Sequence, residues 1–157
     1  MARQTPATLV LARTGLAFTV HAYSYDPGAG SIGLHAADAL GETPARVLKT
    51  LMAEVDGKPV CAVLASDHSL AMKRLAAAAG GKSAAMMPPA RAERLTGYKV
   101  GGISPLGQRH PVPTFLDSAA IEQPYVFVNG GQRGLQLRLA PADLAAAIGA
   151  NVAVLTA

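Results

Sequence analysis

The chain lacks tryptophan, has a single cysteine and contains few charged side chains. Each shortage limits the kind of core, the kind of site or the class of protein that this sequence can form. Cys61 has no second cysteine to pair with, so an intrachain disulfide framework and a cysteine-rich metal site are excluded. Charged residues make up 15% of the 157 residues and apolar residues 50%, which argues against a disordered chain. With 32 alanines and only three Phe and four Tyr, the core must consist mainly of small aliphatic side chains.

Long apolar runs are also missing. The stretch from Ala7 to Ala12 has six residues and ends at Arg13. A secretory signal core needs roughly 7–15 apolar residues and a membrane span about 20. We therefore expect a cytoplasmic protein with no membrane partner, folded as one domain over residues 1–157.

Positive charge is concentrated in one part of the sequence. The segment from Lys73 to Arg109, called the basic segment below, has seven basic residues and one acid, whereas the remaining chain has a net charge of −2. Such a segment indicates a polyanionic partner, and a phosphate backbone is the usual one. Its residues are spaced out and need not share a face, so a merely solvated surface is the alternative.

Short helical and strand patterns alternate along the whole chain. Helices are predicted over 5–14, 34–40, 70–79, 88–94 and 141–148. Strands are predicted over 18–25, 47–55, 60–65, 114–116, 125–128, 135–139 and 152–155. Asp56-Gly57 between two apolar runs indicates a tight hairpin. Because several strand pairs are joined by turns too short for a crossover helix, we expect an α/β (α+β) fold with a mixed, curled sheet or barrel flanked by helices.

Lys49 is an unusual residue for its position. Strand alternation places it between Val47 and Leu51 on the more apolar face of its strand. A lysine there either extends its amine to solvent or serves a site with a negative partner. Tyr23 shares a strand face with His21, and that face either lines a polar pocket or is simply half-exposed.

Two glycine clusters could bring a ligand close to the backbone. The first glycine loop covers residues 97–107 and the second covers residues 130–134. Adjacent glycines permit positive φ, and successive free N–H groups can hold a carbonyl oxygen or a phosphate. Neither cluster has the spacing of the common nucleotide-binding loops, so a purely structural loop is the alternative.

Conventional catalytic groups are scarce. Cys61 lies in an apolar strand and is expected to be buried and inert. The four histidines show no metal-ligand spacing, and no G-x-S-x-G motif is present. An enzyme with this sequence would position its substrate more than attack it.

Four motifs, in order along the chain, resemble the YbaK family of bacterial Cys-tRNA(Pro) deacylases, which is related to the editing domain of prolyl-tRNA synthetase. They are H-x-Y at 21–23, V-x-K-T-L at 47–51, T-G-Y-x-V-G-G-I-S-P-L-G at 96–107 and G-G-x-R-G-L at 130–135. The resemblance implies a mixed sheet or barrel and a trans-editing role, needed because proline and cysteine are hard to discriminate by size. It implies hydrolysis without a metal or other cofactor, the cysteine thiol of the substrate attacking its own ester. The implied partners are tRNA(Pro) charged with cysteine and, as a further candidate, prolyl-tRNA synthetase, with no DNA.

The resemblance also assigns site residues. Lys49 and Gly101 correspond to catalytic positions. The substrate-binding positions correspond to Tyr23, Thr50, Gly102, Ile103, Ser104, Gly130, Gly131 and Gln136.

One departure from the family concerns the amino acid that is recognised. The family has an aspartate after its second glycine motif, where this chain has Gln136. Recognition of the α-amino group is therefore expected to differ, with Asp117 or Asp143 as substitute acids. A deacylase for Ala-tRNA(Pro), a non-catalytic tRNA-binding accessory protein and a small-molecule-binding domain are the alternatives.

Overall fold

Two β-sheets and six helices make up the described part of the computed structural model, which covers residues 4–26 and 32–157. The helices are α1 Pro6–Thr14, α2 Ile32–Leu40, α3 Met72–Ala78, α4 Pro89–Thr96, α5 Ser118–Ile121 and α6 Pro141–Ile148. The strands are β1 Phe18–Ala22, β2 Leu48–Val55, β3 Lys58–Ala65, β4 Ala84–Met86, β5 Thr114–Asp117, β6 Val126–Asn129, β7 Leu135–Leu139 and β8 Asn151–Ala153. None of the helices in this part of the chain combines the length and apolarity that a bilayer crossing requires.

The strands form one antiparallel and one mixed sheet. The three-stranded sheet has the order β1-β7-β6, and the five-stranded sheet has the order β4-β2-β3-β5-β8 with β5 parallel to both neighbours. A single parallel bridge between Val47 and Phe127 connects the two sheets. The predicted mixed sheet is confirmed, but the strands of the described residues do not close into a barrel.

The β2–β3 hairpin fixes the register at the centre of the larger sheet. Asp56 and Gly57 both have positive φ, 50° and 81°, as the tight turn predicted from Asp-Gly requires. Val55 lies opposite Lys58, and the pairing continues to Leu48 opposite Ala65. A two-residue turn makes the closing pair a hydrogen-bonded one. Odd-numbered residues of β2 therefore bond to β3, and even-numbered residues direct their N–H and C=O groups to the opposite edge.

Three apolar clusters separate the layers. The largest lies between the two sheets and takes side chains from α1, α4 and α6, with Cys61 completely buried in it, as predicted. The second lies on the other face of the five-stranded sheet, beneath α3. The third lies between α2 and the three-stranded sheet.

Several element boundaries differ from the prediction because pairing overrides local pattern. β1 ends at Ala22, three residues before the predicted end, because its partner β7 begins at Leu135 opposite that residue. The last strand is set by its pairing with Phe115–Asp117 and runs over Asn151–Ala153 instead of 152–155. The short elements β4 and α5 were not predicted, since three and four residues carry too little periodicity.

Candidate functional site

A cavity of about 330 Å³ lies along residues 48–52 of β2. On one side it is closed by β4 and the start of α4, and on another by the first glycine loop. Asn129 and Gln136 of the three-stranded sheet complete the wall. The other lining residues are Gly33, Met86, Met87, Pro89, Ala92, Val100, Gly101 and Ile103. Most of the wall is apolar, so a ligand in the cavity can form polar contacts at only a few positions.

Lys49 provides the positive charge of this cavity. Burial lowers the pKa of the Lys49 amine, while the nearby carboxylate of Asp67 acts in the opposite direction. The amine forms no ion pair with a carboxylate of the described residues. A partly desolvated and unpaired ammonium group attracts an anionic ligand more strongly than a solvated one does.

Three buried side-chain atoms have no hydrogen-bond partner among the described residues: Tyr23 Oη, Thr50 Oγ1 and Gln136 Oε1. Leaving such a group unpaired costs about 1–3 kcal/mol, so each calls for an explanation. Burial also raises the pKa of the Tyr23 hydroxyl, against a smaller opposing effect of Gln136. Gln136 therefore lies near that hydroxyl without a well-aligned bond to it. All three residues belong to the predicted substrate-binding set, and a polar ligand would satisfy them.

The two glycine loops are held together by the side chains of Asn129 and Arg133, neither of which is among the predicted site residues. Asn129 Nδ2 donates to the Gly101 carbonyl at 3.1 Å, and Asn129 Oδ1 accepts from Gly131 N at 2.7 Å. The Arg133 guanidinium donates twice to the Val100 carbonyl, at 2.7 and 3.0 Å. A polar residue at the end of a buried strand, directly before Gly-Gly, was the available signal for Asn129.

Close packing explains why glycine occupies two positions in these loops. A Cβ on Gly102 would approach the backbone N of Arg133 to 3.0 Å. Gly131 has φ +91°, and a Cβ there would lie 2.6 Å from Cε1 of Tyr98. These glycines allow the two loops to approach each other and place Gly101 at the cavity.

The ten predicted site residues fall into two groups. Five line the cavity, namely Lys49, Thr50, Gly101, Ile103 and Gln136. Four others shape the loops, since Gly102 N donates to Lys99 O and Ser104 Oγ accepts from Leu106 N, while Gly130 and Gly131 bond within and around the second glycine loop. The tenth, Tyr23, contributes its buried hydroxyl near Gln136.

Acids and conventional nucleophiles are absent from the described lining of the cavity. It contains no serine, cysteine, histidine or carboxylate. Asp117 accepts from Leu155 N at 2.9 Å, and neither it nor Asp143 reaches the cavity. The described residues contain no cluster of three or more His, Cys, Asp or Glu side chains able to hold a metal ion. The polar groups of the described lining are thus one ammonium group together with hydroxyl, amide and backbone groups.

Residues 27–147 match the family described as the aminoacyl-tRNA editing domain. The chain belongs to this family. It is 39% identical over 107 residues to a protein of Enterococcus faecalis that is provisionally named Cys-tRNA(Pro)/Cys-tRNA(Cys) deacylase EbsC; the match covers 67% of this chain and 65% of that relative. It is 34% identical over 88 residues to the proline–tRNA ligase of Moorella thermoacetica, covering 56% of this chain and 14% of the ligase.

Solved structures show the same editing-domain fold. One, provisionally described as a trans-editing enzyme for prolyl-tRNA synthetase, has a TM-score of 0.84 and 24% identity, with 99% of both chains covered. A hypothetical protein has a TM-score of 0.87 and 23% identity, covering 98% of this chain and 100% of its own. The predicted family and fold are therefore confirmed.

The basic segment of this editing domain does not form one surface. Lys73 and Arg74 lie on α3, which packs on the face of the five-stranded sheet away from the other sheet. Arg91 and Arg94 lie on α4, which packs on the opposite face and borders the cavity. Only part of the positive charge can therefore surround a ligand that enters the cavity.

Proposed function

We propose that this editing domain hydrolyses the ester bond of a mischarged tRNA and that Cys-tRNA(Pro) is its substrate. The observation that carries the proposal is the combination of Lys49 with the unpaired side-chain atoms of Thr50 and Gln136 in an apolar cavity that has no acid or conventional nucleophile in its described lining. An aminoacyl ester brings an amine, a carbonyl and a small side chain into one group of matching size. The 39% identical relative supports the choice of cysteine.

Each polar group of the cavity has a role in this proposal. The Lys49 ammonium contacts the negatively charged 3′ end of the tRNA or the ester itself. The backbone N–H groups of Gly101 and Ile103 have no partner among the described residues, and they stabilise the negative charge that develops on the carbonyl oxygen. Gln136 Oε1, which can only accept, receives a hydrogen bond from the substrate's α-ammonium group.

The nucleophile of the proposed reaction comes from the substrate itself. The cysteine thiol loses its proton and attacks the ester carbonyl, a C–S bond forms, and the C–O bond to the ribose breaks. The ribose oxygen takes a proton, giving free tRNA and a cyclic thioester. Holding thiol and carbonyl together replaces a loose encounter with an oriented one, which is a large part of what binding can contribute to rate.

The apolar wall favours a thiol side chain over a charged or strongly hydrated one. Met52, Met86 and Met87 all line the cavity. Thioether groups are polarisable and adapt to small apolar partners. An alanine side chain would also fit, which keeps Ala-tRNA(Pro) as the second candidate substrate.

A deacylation panel tests the proposal. tRNA(Pro) charged with Cys, Ala, Ser or Pro is incubated with the protein, and release of free tRNA and of thiolactone is measured. Fastest release from Cys-tRNA(Pro), with thiolactone as product, is expected. Binding of tRNA(Pro) without release of any amino acid would instead support a non-catalytic accessory protein. Failure to bind tRNA even at low salt would support a small-molecule-binding domain, because phosphate contacts are strongest there.

A further inference from the structure

The cavity follows an edge of β2 and not one of its faces. Successive side chains of a strand point to opposite faces, so a cavity on one face would touch every second residue. Here all five residues from Leu48 to Met52 line the cavity. The cavity therefore opens onto the backbone of the strand.

That edge has no strand pairing in the middle of the cavity, around Thr50. β4 pairs with β2 only over Ala53–Val55, and the bridge from β6 reaches only Val47. Backbone groups on either side of the gap are used, since Met87 N donates to Met52 O at 3.1 Å and Phe127 N donates to Arg46 O at 2.8 Å.

Both of those acceptors are even-numbered, as the hairpin register requires. Leu48 and Thr50, between them, direct their N–H and C=O groups to the same edge. The parallel bridge at Val47 occupies the Leu48 N–H, which bonds to the Phe127 carbonyl just as Phe127 N bonds to Arg46 O. No strand pairing or bridge on that edge includes Thr50. Main-chain groups shielded from water are almost always paired, so the N–H and C=O of Thr50 at the cavity wall are available to a ligand that fills the cavity.

We propose that the aminoacyl group of the substrate binds to Thr50 as an added strand of one residue. In an antiparallel hydrogen-bonded pair, two opposite residues exchange both of their N–H···O bonds. An aminoacyl ester has an α-nitrogen donor and a carbonyl acceptor at the spacing of a strand residue. Its ammonium group donates to the Thr50 C=O, and its carbonyl accepts from the Thr50 N–H. This inference rests on the proposed function and states how that substrate is held.

This mode of binding accounts for the missing carboxylate. The ammonium group donates one hydrogen bond to the backbone carbonyl of Thr50 and another to Gln136 Oε1, so recognition of the amine does not need an acid. Opposite residues in an antiparallel pair place their side chains on the same face. The substrate side chain then lies beside the Thr50 and Met52 side chains, where Thr50 Oγ1 lacks a partner. Only an L-amino acid can make both backbone bonds and place its side chain there.

A matched pair of variants that differ in one N–H tests this inference. Thr50→Val keeps the backbone N–H, and α-hydroxyisovaleric acid introduced at position 50 by nonsense suppression replaces only that N–H with oxygen. The ester also makes the Lys49 carbonyl a weaker acceptor for its bond to β3, so the ester variant should melt up to about 4 °C below Thr50→Val. The ester variant should show a kcat/KM for Cys-tRNA(Pro) about tenfold below that of Thr50→Val, as expected for one lost hydrogen bond.

A substrate analogue provides an independent test that leaves the protein unchanged. tRNA(Pro) carrying 3-mercaptopropionate keeps the thiol and the ester but lacks the α-amine. Its kcat/KM with the wild-type protein should be about tenfold lower than that of Cys-tRNA(Pro).

The outcomes separate this inference from the proposed function. Equal kcat/KM values in the matched pair, or equal values for the two substrates, would overturn the strand-like binding while deacylation itself stands. A melting temperature more than about 8 °C below that of Thr50→Val exceeds the effect of the weaker Lys49 carbonyl and would show that the N–H is used inside the protein, which also overturns it. Absence of deacylation by the wild type would overturn the proposed function and this inference with it.

Discussion

Replacing Cys61 by alanine should leave deacylation intact and change how stability depends on pH. The thiol is completely buried in β3, and burial raises its pKa from 9.0 to about 12. At pH 7.5 the thiolate fraction is then on the order of 10⁻⁴ to 10⁻⁵, too small for a nucleophile. We expect kcat/KM of Cys61→Ala within about twofold of wild type, at a cost of about 1 kcal/mol in the free energy of unfolding.

The pH dependence follows from the same shift. The folded pKa lies above the unfolded one, so the stabilisation is complete below about pH 9 and is lost as pH rises toward 12. Between pH 8 and pH 10 linkage gives a loss of about 1.4 kcal/mol in the wild type and none from this position in Cys61→Ala. Tyr98, whose pKa burial also raises to about 12, contributes equally to both proteins and cancels in the comparison.

Urea unfolding of both proteins at pH 8 and pH 10, together with the deacylation assay, measures these quantities. Equal pH dependence in the two proteins would refute the burial of the thiol. Loss of activity in a folded Cys61→Ala would identify Cys61 as an enzyme nucleophile and refute the substrate-assisted scheme.

Three other substitutions address the site. Lys49→Met should lower kcat/KM roughly 10- to 100-fold with an unchanged circular dichroism spectrum, because a contact to a charged group is lost; near-normal activity would exclude Lys49 from the site. Gln136→Asp should raise kcat/KM for Cys-tRNA(Pro) by up to about fivefold, because a charge-assisted bond to the α-ammonium is stronger than a neutral one; an unchanged rate and preference across the panel would place position 136 outside the site. Gly131→Ala should cost about 2–3 kcal/mol, from its φ of +91° and the 2.6 Å approach to Tyr98. Gly149→Ala, with φ +58° and open space around it, is the control and should cost only about 1 kcal/mol, measured by thermal unfolding; equal losses would show that the contact with Tyr98 is unimportant.

Elements with local signals could be predicted well from the sequence. Helix α1, predicted over 5–14, is capped by Thr5 and ends at Gly15 in the left-handed conformation. Strand β7 and helix α6 have the predicted bounds, and the Asp56-Gly57 turn sets the register of β2 and β3. Each depends on residues close together in sequence, whereas the division into two sheets depends on distant pairings.

The candidate site was predicted less completely, for the same reason. Side-chain alternation assigned Lys49 to one face of its strand, but an edge that is left open by a three-residue neighbour cannot be inferred from alternation. The contact of Asn129 with Gly101 joins residues 28 positions apart. The division of the basic segment between two faces likewise depends on which helix packs on which side of the sheet.

The unpaired edge of β2 also bears on solubility. An open strand edge normally invites other chains to pair with it and leads to aggregation. Here the free edge is short, lying between the bridge at Val47 and the β4 pairing that begins at Ala53, and it is enclosed by α4 and the first glycine loop. An extended peptide needs a longer and more open edge, so a neighbouring polypeptide is excluded sterically. The domain can thus keep backbone groups free within a cell crowded with nascent chains without capturing them.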